Sequence, residues 1–478
     1  MKNLMVILIL AIFSLVSSSV FGQVSFTQYG TLPFVSSLDV AMISISDMNN
    51  DSQENIVSIY GFSTSSGSNY FLKISTVHPV GTITSIDYQL DCSSTIRNFE
   101  ILDANNDGMK DIVYVHSDSV TILFQGGMYN FNTANQLTMF SGFTSDGIAK
   151  GDFNQDGLDD FVVSNWNGTN LRIFKQSTNI NLIGYYIEDI AATQAGYNQV
   201  KVWDVNFDGW DDIVYLAGQG MFSGIYVYLN NGSGFFTSFP SYFPVLGSAG
   251  NTLVTSNVSF GDFFGTGPGL IINSCYGGPD NTRFIQYQTS GNWVNMGLTN
   301  MADYFPSSVV ADFDNNGIDE VVYLANSLEN VRVMQFSGLS SFTSTNFQTI
   351  SGNYHAYDQM LATGDIVNND DNIDFALISD WGEITIFTNN GNTITGIKYP
   401  SFVSNIDIYP NPTTDYLQVS LNEIGEYKWI ITDVSGRIIL ENKNDEQNFI
   451  INLESIPSGI YFLKIEGKEF FSKKFIVQ

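Results

Sequence analysis

From about residue 25 to 400 the chain alternates short apolar runs with polar turns, and no segment carries a helical period long enough to matter. Runs such as Ile112-Val113-Tyr114-Val115, Phe161-Val162-Val163 and Ile213-Val214-Tyr215-Leu216 have strand length and β-branched or aromatic content. An apolar stretch and an acidic loop precede each of them. A polar turn and further strand-like runs, such as Leu171–Gln176 and Gly224–Asn230, follow. The pattern predicts four short strands per unit, and the unit recurs.

Its mark is D-x-N-x-D-G-x-x-D, clearest from Asp103, Asp152 and Asp204. First positions fall at Asp47, Asp103, Asp152, Asp204, Asp262, Asp312 and Asp365, with steps of 56, 49, 52, 58, 50 and 53 residues. Such a period points to a propeller or solenoid. Seven units of four strands predict an all-β fold, a seven-bladed β-propeller. Side-chain oxygens at every second position, with glycine at the sixth, are what a hard cation with about six to eight oxygen ligands asks of a short loop. An EF-hand shares the first ligands but needs a glutamate at position twelve between helices. Ser58, Tyr114, Val163, Tyr215 and Tyr323 occupy that position, and the flanks are strand-like, which excludes it. Ordinary turn chemistry also favours Asp, Asn and Gly, but by itself gives no reason for an acid at position nine. Calcium is therefore the preferred reading.

Over roughly residues 25 to 400 these units resemble FG-GAP or VCBS repeats, the calcium-loop blades of integrin α-chain propellers and of many secreted bacterial proteins. The loops differ in quality. The second, third and fourth offer Asp103, Asn105, Asp107 and Asp111; Asp152, Asn154, Asp156 and Asp160; and Asp204, Asn206, Asp208 and Asp212. These three are expected to be the best sites. The sixth offers Asp312, Asp314, Asn316 and Glu320. The first offers Asp47, Asn49, Asp51 and Asn55, with Ser52 where glycine is wanted, a substitution that a left-handed turn penalises. The seventh fits with one residue inserted, as Asp365, Asn368, Asp370 and Asp374. The fifth keeps Asp262 and Gly267 but has Phe264, Thr266 and Leu270 at ligand positions, so it is expected to keep its turn without a metal. About five to six calcium ions per chain are expected.

Composition narrows the partners. The chain holds 48 acidic and 18 basic residues, a net charge of −30, yet is 44% hydrophobic, too apolar for a disordered acidic chain. Nucleic acid is a poor partner, since phosphate binding depends on Lys and Arg. Residues 1–22 have Lys2, an apolar core from Leu4 to Val16 and small residues before Gly22, the pattern of a secretory signal peptide. No later stretch has the roughly 20 apolar residues of a transmembrane helix. Cys92 and Cys275 are expected to be free, buried thiols, and His78, His116 and His355 are too scattered for a zinc site.

The repeat stops at Pro400, so the propeller is assigned to residues 23–400. Residues 401–478 read as a small β-sandwich containing Tyr409-Pro410-Asn411-Pro412, Asp433-Val434-Ser435-Gly436-Arg437, Pro457-Ser458-Gly459-Ile460-Tyr461 and Lys473-Lys474-Phe475. In that order these motifs resemble the C-terminal sorting domain of the type IX secretion system. The resemblance implies the secretion machinery as a partner and a secreted or cell-surface location.

The leading functional reading is a non-enzymatic binding or adhesion module for a glycan or protein ligand. A polysaccharide- or lipid-degrading enzyme and a structural surface-layer component are the alternatives. Residues 23–400 contain only ten Lys and Arg, dispersed along the chain, and no evident nucleophile, base and orienter set. If each acidic loop joins the first two strands of a blade, the turns after the second strand lie on the opposite face. Trp166, Asn167, Phe222, Tyr276 and Trp381 fall in those turns and are the candidate ligand residues, with inter-blade packing as the competing role for the two tryptophans.

Overall fold

The computed structural model describes residues 24–390 and 406–477 apart from short segments, among them 34–39, 178–184, 192–198, 218–223, 245–254, 264–268, 275–281, 300–306 and 350–358. The chain divides into two compact units, Met1–Thr393 and Ile394–Gln478. The expected signal peptide and the expected boundary at residue 400 lie outside the described residues. Every regular element among those residues is a strand.

Strand β1 spans Phe26–Pro33. The first sheet is β2 to β5, at Val40–Ser46, Asn55–Thr64, Gly67–Val77 and Ile83–Leu90. The second is β6 to β9, at Ile96–Leu102, Asp111–His116, Ser119–Gln125 and Phe131–Phe140. The third is β10 to β13, at Ser145–Gly151, Asp160–Asn165, Asn170–Gln176 and Tyr185–Ala191. The fourth is β14 to β17, at Gln199–Trp203, Asp212–Ala217, Gly224–Tyr228 and Ser241–Pro244. The fifth is β18 to β21, at Thr255–Gly261, Gly269–Ser274, Thr282–Tyr287 and Trp293–Thr299. The sixth is β22 to β25, at Ser308–Ala311, Glu320–Ala325, Asn330–Phe336 and Phe342–Thr349. The seventh has β26 to β28, at Leu361–Gly364, Asp374–Ile378 and Glu383–Asn389, and takes β1 as its fourth strand.

All pairings within these sheets are antiparallel, as a meander joined by short connections requires. The seventh sheet is different in kind. Phe26 pairs with Asn389 and Pro33 with Glu383, so the two ends of the first unit share one sheet. Second strands are buried on both faces: β7 is buried along its length except at His116, and β11 throughout. That is why they read as continuous apolar runs instead of alternating ones. Outer strands such as β9 and β13 alternate toward exposure. Ile112, Tyr114 and Leu123 of the second sheet pack on Met42, Val57 and Ile59 of the first, while Val113, Val115 and Ile122 pack on Ile148, Phe161 and Val163 of the third. Neighbouring sheets thus bury one another's faces.

The second unit has two antiparallel sheets. One contains β29 (Ile406–Tyr409), β30 (Tyr416–Leu421) and β33 (Asn448–Asn452); the other contains β31 (Tyr427–Asp433), β32 (Ile438–Asn444), β34 (Gly459–Glu466) and β35 (Phe470–Val477). Leu417, Val419 and Ile451 from one sheet and Trp429, Ile431, Leu463 and Phe475 from the other form a single core. The sequence motifs mark its joints. Asn411 Oδ1 accepts the N–H of Ile476 at 2.9 Å, and the Tyr461 hydroxyl donates to the Pro457 carbonyl at 2.8 Å.

Candidate metal centre

Every acidic loop lies between the first and second strand of its sheet, so all seven sit at the same end of their sheets. The loops fold around their first aspartate. Asp103 accepts the N–H of Asp107 at 3.1 Å on one oxygen and of Gly108 at 2.8 Å on the other. Asp152 does the same for Asp156 and Gly157, and Asp204 for Asp208 and Gly209. Asp312 does so for Asn316 and Gly317, and Asp47 for Asp51 and Ser52. Asn105, Asn154 and Asn206 accept the N–H of position five, which fixes the third side chain toward the fifth.

Position six is left-handed, with φ of +84° at Gly108, +80° at Gly157, +86° at Gly209 and +83° at Gly317. Ser52 adopts φ +69° despite its Cβ, the strain expected of a non-glycine there. In the seventh loop the inserted residue is absorbed before Asp370. Asp365 accepts the N–H groups of Asp370 and Asp371, and Asp371 takes the left-handed turn at φ +63°. Position four is left-handed as well, at Asn50, Asn106, Gln155, Asn315 and Asn369, a feature the sequence reading missed. Asparagine at four of these five positions was the available signal, because it tolerates that region best among residues with a Cβ.

Position nine has a structural reason that turn chemistry did not suggest. Asp111 is fully buried and accepts two backbone N–H groups, from Ala104 at 2.9 Å and from Gln125 at 2.8 Å. Asp160 holds Phe153 and Gln176, Asp212 holds Val205 and Asn230, and Asp374 holds Val367 and Asn389 in the same way. Each carboxylate ties its own loop to the end of the third strand. Burial pushes the pKa of all four up to about 7, outweighing the N–H bonds that act to lower it. Asn55, which fills this position in the first loop, accepts the N–H of Met48 at 3.0 Å.

The sixth loop gathers the densest charge. Asp312, Asp314 and Glu320 bring carboxylate oxygens within 4.8 Å of one another, the one such group of three among the described residues. Asp314 and Glu320 are buried. Burial first and the neighbouring carboxylates second push Asp314 up to about 6 and Glu320 up to about 10. Three acids so placed repel when ionised, and a hard cation bound by oxygens is the partner that fits them. Loops two to four, expected to be the best sites, carry an asparagine at position three, whereas the sixth has Asp314 there and so brings three carboxylates together.

Successive loops are also stitched together, by residues that were not singled out from the sequence. The position-eight acids reach back one sheet: Asp159 accepts the N–H of Asp103 at 2.8 Å, Asp211 that of Asp152 at 2.9 Å and Asp319 that of Asp262 at 2.7 Å. Glu54 takes the N–H of Asp365 and so joins the first sheet to the seventh. Between the first and second loops, where position eight is Lys110, Asn50 donates instead to the Gly108 carbonyl at 2.7 Å. Amides at the ends of third strands add a second stitch. Gln125 donates to Met48, Gln176 to Asp103, Asn230 to Phe153 and Asn389 to Phe313, each at a backbone carbonyl in the preceding sheet's loop.

Of the candidate ligand residues, Trp166 is half-buried, with the Arg97 guanidinium 4.1 Å from its ring centroid and its backbone N–H donated to the Thr144 carbonyl. Arg97 belongs to the second sheet, so this tryptophan takes part in packing between sheets. Asn167, Phe222, Tyr276, Trp381 and the loop residue Asn368 lie outside the described residues, as does Cys275. Cys92 is a free thiol but half-buried, not buried as expected. His116 closes β7 and is held by Ser94 and Thr121.

Comparison with known proteins places two segments. Residues 103–163 match the FG-GAP-like repeat, and residues 407–478 match the secretion system C-terminal sorting domain. The ulvan lyase NLR42 of Nonlabens ulvanivorans is 30% identical over 68 residues, 14% of this chain and 13% of the lyase. PorZ, an essential bacterial surface component of the type IX secretion system of Porphyromonas gingivalis, aligns at 12% identity and TM-score 0.45, over 91% of this chain and 59% of its own. An Agrocybe aegerita lectin that recognises non-reducing terminal N-acetylglucosamine aligns at 14% identity and TM-score 0.45, over 66% and 81%. BBS1N in complex with ARL6DN aligns at 11% identity and TM-score 0.49, over 77% and 99%. The chain therefore carries an FG-GAP-like repeat in its first unit and a type IX sorting domain in its second, and the sorting domain directs it to the cell surface or the extracellular space.

Proposed function

We propose that the seven sheets of the first unit close into a seven-bladed propeller whose acidic loops bind calcium, and that this propeller serves outside the cell as a binding or adhesion module for a glycan or protein ligand. The observation that carries the metal reading is the convergence of Asp312, Asp314 and Glu320 in the sixth loop, on the pattern that five other loops share. Closure is supported by β1 completing the seventh sheet and by the Glu54 carboxylate meeting Asp365. Calcium would be held by the carboxylate and amide oxygens of positions one, three and five, joined in the sixth loop by Glu320 at position nine. It would supply positive charge to a surface dominated by acids, and no reaction is assigned to it. Export supports an extracellular role, and the sorting domain's partner is the secretion machinery.

A binding screen tests the module directly. Calcium-loaded protein is applied to arrayed glycans and to extracellular proteins, and the hits are repeated with excess chelator. Saturable binding that weakens on chelation is expected, and absence of any ligand in both classes would overturn the reading. The short stretch shared with an ulvan lyase keeps polysaccharide cleavage as a second reading. New unsaturated ends released from uronate polysaccharides would favour it.

A further inference from the structure

We infer that a cleft between the third and fourth sheets, at the end that bears the acidic loops, binds a neutral oligosaccharide. The inference deepens the module reading and rests on it. The cleft has a volume of about 630 Å³, within the usual range of ligand sites. One wall is β13, where Tyr186 is 72% and Ile187 53% exposed. The other is the connection between β16 and β17, where Phe235 is 58% exposed. Aromatic rings left this open in the lining of one cleft suit a flat partner with apolar C–H faces, and a pyranose ring has them.

The floor is polar and held in place. Lys175 Nζ lies 2.7 Å from Glu188 Oε2, donates to the Gly234 carbonyl and sits 5.1 Å from the Phe235 ring centroid. One side chain thus fixes both walls, which lowers the ordering cost of binding. Asn154 and Asp156 of the third acidic loop and Gln176 complete the lining. Amides and carboxylates at such an edge can bond sugar hydroxyls. Charge selects among sugars: Lys175, the one basic side chain in the described lining, is already paired with Glu188, so a uronate or sulfate finds no side-chain cation to receive it. A neutral glycan needs none. This places ligand and acidic loops at the same end, whereas the sequence pointed to the opposite face.

The full-length protein with calcium is titrated with cello-, xylo-, manno- and chito-oligosaccharides, and with oligogalacturonate as the charged contrast. The variants are Tyr186→Ala and Phe235→Ala. At least one neutral oligosaccharide should bind, each variant should weaken it about tenfold or more, and the thermal midpoint should stay where it is because both rings are exposed. A neutral ligand bound equally by wild type and both variants overturns the cleft but leaves the module reading standing. Preference for oligogalacturonate, or for a protein in place of any sugar, overturns the cleft as well. No ligand of any class overturns both.

Discussion

Asp211, eighth in the fourth loop, accepts the backbone N–H of Asp152, first in the third loop, at 2.9 Å, and this bond crosses from one sheet to the next. The contact also explains a glycine. A Cβ at Gly151 would stand 3.0 Å from the Asp211 carboxylate and 2.9 Å from Phe153 and Val202. Gly261 stands in the same relation to Asp319, and Gly364 to Glu54. Ser46, Trp203 and Ala311 precede the first aspartates whose next loop lacks an acid at position eight, and Leu102, before Asp103, is the one non-glycine at a stitched aspartate.

Asp211→Ala should therefore destabilise the first unit by about 1–3 kcal/mol, the cost of leaving a partly buried N–H without its acceptor. Gly151→Ala should also destabilise, by crowding the same carboxylate. Denaturant unfolding measures both. Calcium content should not change in either variant, since neither residue is a proposed ligand.

Positions five and nine should separate in the absence of metal. Asp107→Ala removes a proposed ligand from an exposed loop and should cost little stability in excess chelator, while lowering the calcium content by one. Asp111→Ala strips the acceptor from the buried N–H groups of Ala104 and Gln125. It should cost several kcal/mol even in chelator, at about 1–3 kcal/mol for each orphaned group. Equal losses for the two variants would contradict the division of labour.

Much of this was legible because strands buried on both faces print continuous apolar runs, and because a loop built on one aspartate repeats its spacing. The four-stranded units, the position of each acidic loop and the presence of a sorting domain could all be read this way. In the seventh loop Asp365 accepts the N–H of Asp370, five residues on, where the other loops count four, as the inserted residue requires; Asn368 itself lies outside the described residues. The seam was not legible. β1 pairs with β28 more than 350 residues away, and no local pattern records a partner so distant. The stitches were hidden for the same reason: Asp159, Asp211 and Asp319 look like ordinary loop acids until the neighbouring sheet is present. Trp166 shows the converse, since an aromatic in a turn reads as exposed until Arg97 arrives from another sheet.

The sixth loop predicts a pH dependence whose sign is fixed by burial. Asp314 at about 6, Glu320 at about 10 and the ninth-position aspartates at about 7 all lie above their unfolded values. Their protonated forms favour the fold, so the contribution is whole below about pH 4 and is lost as pH rises through those values. In chelator the protein should lose stability from about pH 5 to 8, and calcium should flatten that loss. Asp314→Asn should stabilise the metal-free protein near pH 8 and reduce the gain from calcium. Thermal melts across pH measure both effects, and a chelated protein more stable at pH 8 than at pH 5 would contradict them.

Removal of residues 401–478 should leave the first unit folded but block its release, because the sorting domain is the address. Cell fractionation should find the truncated protein in the periplasm. Its normal arrival outside the cell would contradict the assignment.

The most direct test of the central claim is the calcium content of protein equilibrated with the ion and then freed of excess, measured with the unfolding temperature before and after chelation. The loops predict about five to six ions per chain and a clear fall in unfolding temperature when they are removed. A calcium content near zero, with an unfolding temperature that chelation leaves unchanged, would contradict it.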